Sequence, residues 1–171
     1  ESGPCQRWGC VEKAGMRLVF WTGFWTFLLD QAVKYLVVHI MDLRRLGEID
    51  VMPPFLNLRM AWNYGINFGL FAQHGDVTRW VLITVALAIA VAVVWWVKND
   101  PPGLMGKLAA GLLVGGALGN VVDRLLYGAV ADFINMSCCG FSNPYAFNIA
   151  DIAIFIGAFG LVLFTGSKKP A

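Results

Sequence analysis

The eighteen residues from Trp80 to Val97 carry no charge. A helix over them would rise about 27 Å, close to the hydrocarbon thickness of a bilayer. Trp80 lies at one end and Trp95-Trp96 at the other, which suits two interfacial belts. Three further apolar stretches accompany it, from about Arg17 to Met41, from about Leu104 to Tyr127, and from about Phe147 to Thr165. Only 14% of the 171 residues are charged and 58% are hydrophobic. A soluble domain carries about 25% charged residues. The expected fold is therefore mainly α and integral to a membrane, one domain of four transmembrane helices over residues 16–171. Residues 1–15 lack periodicity and are set outside the fold. They read as a disordered tail, native or left over from expression. No cleavable signal peptide is expected, because the first apolar run is too long for one and holds Asp30 and Lys34.

The net charge of +2 and the absence of basic blocks beyond Arg44-Arg45 and Lys168-Lys169 leave no nucleic-acid partner to propose. Four spans put both termini on one side. That side receives Arg7, Lys13, Arg17, Lys98, Lys107, Lys168 and Lys169. The other receives Arg44, Arg45, Arg59 and Arg79, with Arg124 at a helix end. The positive-inside rule makes the termini cytoplasmic. Cys5 and Cys10 then lie opposite Cys138 and Cys139, so the four cannot form a zinc site. Adjacent Cys138 and Cys139 are poorly placed to bridge each other. No metal and no cofactor is expected.

The connection over residues 42–78 is long enough to hold structure of its own. Leu56, Leu58, Met60 and Trp62 alternate with Asn57, Arg59, Ala61 and Asn63, a period of two that predicts a half-buried strand. Pro53-Pro54 marks its start, and Asn63 to Gly69 has turn composition. This small extracytoplasmic β element between helices 1 and 2 either holds an extended peptide by edge pairing or rests on lipid as an amphipathic loop.

Ionisable groups at membrane depth are costly and by default mark function. Asp30 and Lys34 share a helix face and can pair, as a structural brace or as a substrate contact. Gly111, Gly115 and Gly119 recur every four residues, which allows close helix approach. Asn120, Asp123 and Arg124 form one polar face at the end of the third span, and Gly128 is a good helix stop. Asp132 follows just past that end. Asn148 is an N-cap candidate for the fourth span, with Asp151 three residues in.

Asp132 and Asp151 thus sit where two spans end on the same side. Two carboxylates held close share a proton, and such a pair can activate a water and protonate a leaving group. Asp151 is expected to be the ionised member, being in the first turn of a helix. A proton-coupled transporter or a lipid-binding scaffold would show the same two acids. His39 and His74 have no nucleophile in a triad-like context, and neither HExxH, P-loop nor GxGxxG occurs.

The motifs LDQAVK (29–34), FLNLRMAWNYGINFG (55–69), GGALGNVVDR (115–124), VADF (130–133) and FNIAD (147–151) follow one another along the chain. In that order they resemble the lipoprotein signal peptidase family, signal peptidase II, over nearly all of Met16–Thr165. The resemblance implies an aspartyl endopeptidase that cleaves diacylglyceryl-modified prolipoproteins just before the lipidated cysteine. It implies a catalytic dyad of Asp132 and Asp151, and substrate binding by Asn63, Gly65, Asn120, Arg124 and Asn148. Asp30, Lys34 and Asp123 match positions read as structural. The implied setting is the bacterial inner membrane, with the active site near the outer face. The implied partners are the lipidated substrate, membrane lipids and cyclic peptide inhibitors such as globomycin, bound to a monomer. Ile66-Asn67 after Gly65 and the Cys138-Cys139 loop depart from the family pattern.

Overall fold

The computed structural model describes residues 4–65, 75–137 and 143–165. Ile66-Asn67, His74, Cys138, Cys139, Lys168 and Lys169 lie outside them.

Four long helices make most of the molecule: α1 Pro4–Tyr35, α3 Gly75–Asn99, α4 Leu104–Tyr127 and α5 Ile149–Thr165. A π-helical turn Leu36–Ile40 and a short helix α2, Leu43–Leu46, follow α1. The helix α1 begins well upstream of Met16, so the expected disordered tail is helical from Pro4 onward. The physical reason is that helix nucleation is costly and propagation is not, so an established helix extends without needing an apolar stripe. Among the described residues two helices, Asp76–Asn99 and Leu104–Tyr127, are long and apolar enough to cross a membrane.

The central helix is α4, on which α1, α3 and α5 all pack. Its glycines make that possible. A Cβ on Gly115 would strike the Gly23 carbonyl oxygen of α1, and one on Gly119 would land on the Asp30 carboxylate. The helix ends at Gly128 (φ 78°), whose N–H donates to the Arg124 carbonyl at 3.1 Å. That left-handed stop is the one read from the sequence.

Three strands form one antiparallel sheet in the order β1 (Glu48–Met52), β2 (Leu56–Asn63), β3 (Val130–Met136). The expected strand from Leu56 to Asn63 is β2. On one side β3 pairs with it from Leu56 to Asn63, while on the other β1 covers only Leu56–Arg59 and the Gly47 carbonyl takes the Met60 N–H, so Ala61–Asn63 have no strand on that side among the described residues. The β element is also not confined to the connection between the first two long helices, since β3 follows α4 and carries Asp132. Pairing runs Leu58 opposite Ile134, then Ala61 opposite Asp132 and Asn63 opposite Val130. Two residues of β2, Arg59 and Met60, therefore face the single Phe133, which is a bulge. An unbroken register would set Met60 against Asp132. The bulge sets the odd-numbered polar face of β2 there instead. Phe133, buried with Val37 and Leu43, pins β3 to the segment that leaves α1.

Candidate active site

Asp132 is buried in β3, and Asp151 lies in the first turn of α5. One residue joins them. The Asn148 Nδ2 donates to Asp132 Oδ1 at 2.6 Å, and the Asn148 backbone N–H donates to Asp151 Oδ2 at 3.3 Å. In return the Asp151 N–H donates to Asn148 Oδ1 at 2.9 Å. This reciprocal exchange is the capping box anticipated from the spacing. Here its two ends are also contacts of the acid pair.

Two further asparagines complete the set. Asn63 Nδ2 donates to Asp132 Oδ2 at 3.2 Å, and Asn120 Nδ2 donates to Asp151 Oδ1 at 2.9 Å. Each of the four carboxylate oxygens thus receives one N–H. The amide orientations of Asn63 and Asn148 are fixed by groups that can only donate. The Gly65 N–H meets Asn63 Oδ1 at 3.2 Å, and the Asp151 N–H meets Asn148 Oδ1. Each NH2 group is therefore turned to Asp132.

Burial pushes the Asp132 carboxyl up to about 7, and the Asp151 charge adds to the rise. The hydrogen bonds from Asn63 and Asn148 and the Lys34 charge oppose it. At neutral pH the pair can hold one shared proton.

Behind the acids lies a buried ionic cluster. Lys34 Nζ is 2.8 Å from Asp30 Oδ2 and 2.7 Å from Asp123 Oδ2, and it donates to Asn120 Oδ1 at 3.3 Å. Asp30 Oδ1 accepts the Ala150 N–H at 2.9 Å, so a residue of α1 caps the helix that bears Asp151. Asp123 Oδ2 accepts the Ala131 N–H at 3.2 Å, one residue before Asp132. Asp30 and Asp123 therefore tie down the backbone beside each acid. Arg124 Nη1 donates to the Asn120 carbonyl at 3.3 Å, while its buried Nε has no partner among the described residues.

Two contributors were not singled out from the sequence. Gln31 Nε2 shares its two hydrogens among Asp30 Oδ2, the Gly119 carbonyl and Asp123 Oδ1, at 3.1, 3.3 and 3.1 Å. Buried Asn135 donates to the carbonyls of Asn143 and Tyr145 at 2.7 and 2.8 Å and so steadies the approach to Asn148. The Asp30–Lys34 spacing would have pointed to Gln31, but nothing local marks Asn135. His39 contacts Tyr127 at an exposed position, away from this network. Among the described residues no group of three His, Cys, Asp or Glu side chains converges as a metal site would.

A family model described as signal peptidase (SPase) II matches residues 23–166. The lipoprotein signal peptidase of Methylobacterium radiotolerans is 43% identical over 138 residues, 81% of this chain and 79% of that protein. That of Alteromonas mediterranea is 40% identical over 153 residues, 89% and 81% of the two. A solved bacterial membrane enzyme superposes with a TM-score of 0.73 at 28% identity, over 90% of this chain and 93% of its own. These relatives are enzymes, and the transporter or scaffold alternative gains nothing from them.

Proposed function

Since this chain belongs to the signal peptidase II family of proteases, we propose that it removes signal peptides from diacylglyceryl-modified prolipoproteins with Asp132 and Asp151 as its catalytic pair. The observation that carries the reading is the double attachment of Asn148, which holds one acid through its amide and the other through its backbone.

In the proposed reaction a water lies between the acids. Ionised Asp151 takes a proton from the water as its oxygen bonds to the scissile carbonyl carbon. Protonated Asp132 gives its proton to the carbonyl oxygen. Collapse of the diol breaks the C–N bond, the amine nitrogen takes the proton from Asp151, and Asp132 recovers its own. The bond cut is the one just before the lipidated cysteine. Arg124 and Asn63 bind substrate backbone beside Gly65, while buried Asn120 and Asn148, whose amides are committed around the acids, act on substrate through them.

All four long helices span the bilayer in this reading. The exposed faces of α1 (Phe20, Trp21, Trp25) and α5 (Phe155, Phe159, Val162) are apolar, which supports lipid contact. The protein is then a monomer of the bacterial inner membrane, with cytoplasmic termini and its site near the outer face. Globomycin would occupy the same groove as the substrate. Asp132→Asn and Asp151→Asn are each expected to lose at least about 10²-fold in cleavage of a diacylated lipopeptide while remaining folded. Near wild-type cleavage by either variant refutes the assignment.

A further inference from the structure

Each amide at the acid pair is oriented by a donor, a backbone N–H for Asn63 and Asn148 and side chains for Asn120. An ammonium has three N–H groups and no acceptor. The Asn120 atom that meets Lys34 at 3.3 Å is therefore the carbonyl oxygen, and Nδ2 is turned by default to Asp151 at 2.9 Å. Asn148 Nδ2 also reaches Asn120 Oδ1 at 3.3 Å. Its one hydrogen not committed at 2.6 Å to Asp132 is shared with the Ala131 carbonyl at 3.4 Å, whereas Lys34 has an N–H for each of its three acceptors.

Lys34 is itself fixed. Its side chain is 6% exposed, and Asp30, Asp123 and Asn120 take its three N–H groups. The charged groups that meet it are Asp30 on its own helix and Asp123 from α4, Asp132 of β3 feels its charge, and Asp151 of α5 is reached through the Asn120 amide.

We propose that Lys34 is a positioning residue for the reaction above. By occupying the Asn120 carbonyl oxygen it commits that amide to donate to Asp151, and so keeps the pair's negative charge on Asp151 and its proton on Asp132. Without Lys34 the amide can turn over and offer its oxygen to Asp151, a contact that suits a protonated Asp151. The proton then sits on the acid meant to receive one. The raised affinity of buried Asp132 for a proton agrees with the assignment. The inference rests on the protease reading.

The test removes the donor without changing the net charge. Lys34→Met with Asp123→Asn deletes one charge of each sign, and an asparagine at 123 still accepts the Ala131 N–H. In the folded double variant the acid limb of kcat/KM on a diacylated lipopeptide should move up by about one pH unit. kcat should fall about tenfold or more. KM should stay within about threefold. A purely structural role would lower the thermal midpoint and leave the pH profile in place, so a profile that superimposes on the parent overturns the proposal. If the double variant does not fold, the unsubstituted protein decides. Asp151 is the one acidic residue in 139–171. Joining two expressed segments at Cys139, with carbon-13 in the second, labels that carboxyl alone among the acidic side chains, and the C-terminal carboxyl labelled with it stays ionised just below neutral pH. The infrared band of the protonated carboxyl below neutral pH should be unmoved by the label. A shifted band puts the proton on Asp151 and overturns the proposal. Cleavage by Asp132→Asn would sink the protease reading itself. An inactive Asp132→Asn beside an unshifted double variant would sink only this inference.

Discussion

Replacing Asn148 by serine and by alanine separates the two tasks that this residue performs. Its side chain is fully buried and uses both ends, with Oδ1 on the Asp151 N–H at 2.9 Å and Nδ2 on Asp132 at 2.6 Å. A serine hydroxyl can take over the cap but cannot also reach Asp132. Alanine does neither. Loss of a cap costs about 1 kcal/mol. Loss of the donor to a buried carboxyl costs about 1–2 kcal/mol more. Asn148→Ser should therefore be destabilised by about 1–2 kcal/mol and Asn148→Ala by about 2–3 kcal/mol. The difference between the variants corresponds to about 2–4 °C in thermal midpoint for a chain of this size. Activity should not follow that order. Both variants lack the amide donor, so both should lose about 10²-fold in kcat on a diacylated lipopeptide. Thermal melts in detergent and steady-state cleavage of the same preparations supply the comparison. A serine variant that regained activity along with stability would show that the cap alone matters and that the Asp132 contact does not.

Asp132, raised to about 7, should give cleavage a descending limb as pH rises through that value. The folded-state value lies above the ordinary 3.8, so the stability contributed is whole below 3.8 and is lost as pH rises through about 7. The thermal midpoint should decline across that window and the decline should vanish in Asp132→Asn. Asp30→Asn keeps an acceptor for the Ala150 N–H but breaks the contact with Lys34, which still holds Asp123. It should cost about 1–3 kcal/mol of stability and less than about threefold in turnover. Abolished turnover in a folded Asp30→Asn protein would contradict its reading as a brace. Gly115→Ala sets a methyl against the Gly23 carbonyl and should destabilise by about 1–3 kcal/mol, and an unchanged melt would mean that α1 and α4 separate freely.

What the sequence made legible was local. The uncharged run became α3, the two-residue alternation became β2, and Gly128 and the Asn148–Asp151 spacing became a helix stop and a capping box. Each of those signals is complete within a few residues. The strand β3 was not legible because its partner lies some seventy residues away in β2, and VADFINM alternates only weakly when it is buried on both faces. The extension of α1 to Pro4 left no trace because it needs no apolar periodicity. The Asp30–Lys34 pair was visible at four residues' spacing, but its second carboxylate, Asp123, joins across 89 positions of chain. Position at two span ends paired Asp132 with Asp151, and the likeness to the family made that pair a protease dyad where spacing alone also suited a transporter. The bulge opposite Phe133, which lays the polar side of β2 against Asp132, is a property of pairing and has no one-dimensional signature.

The residue that starts α5 is also the clasp between the two acids, which ties the chemistry to the softest event a helix undergoes. Fraying of a single terminal turn would release the Asn148 amide and let Asp151 swing away from Asp132 while the helical bundle stayed intact. Gentle warming or a harsh detergent should therefore silence the molecule well before circular dichroism records any melting. A compound lodged across both carboxyls would act on the same turn in the opposite sense, stitching it shut.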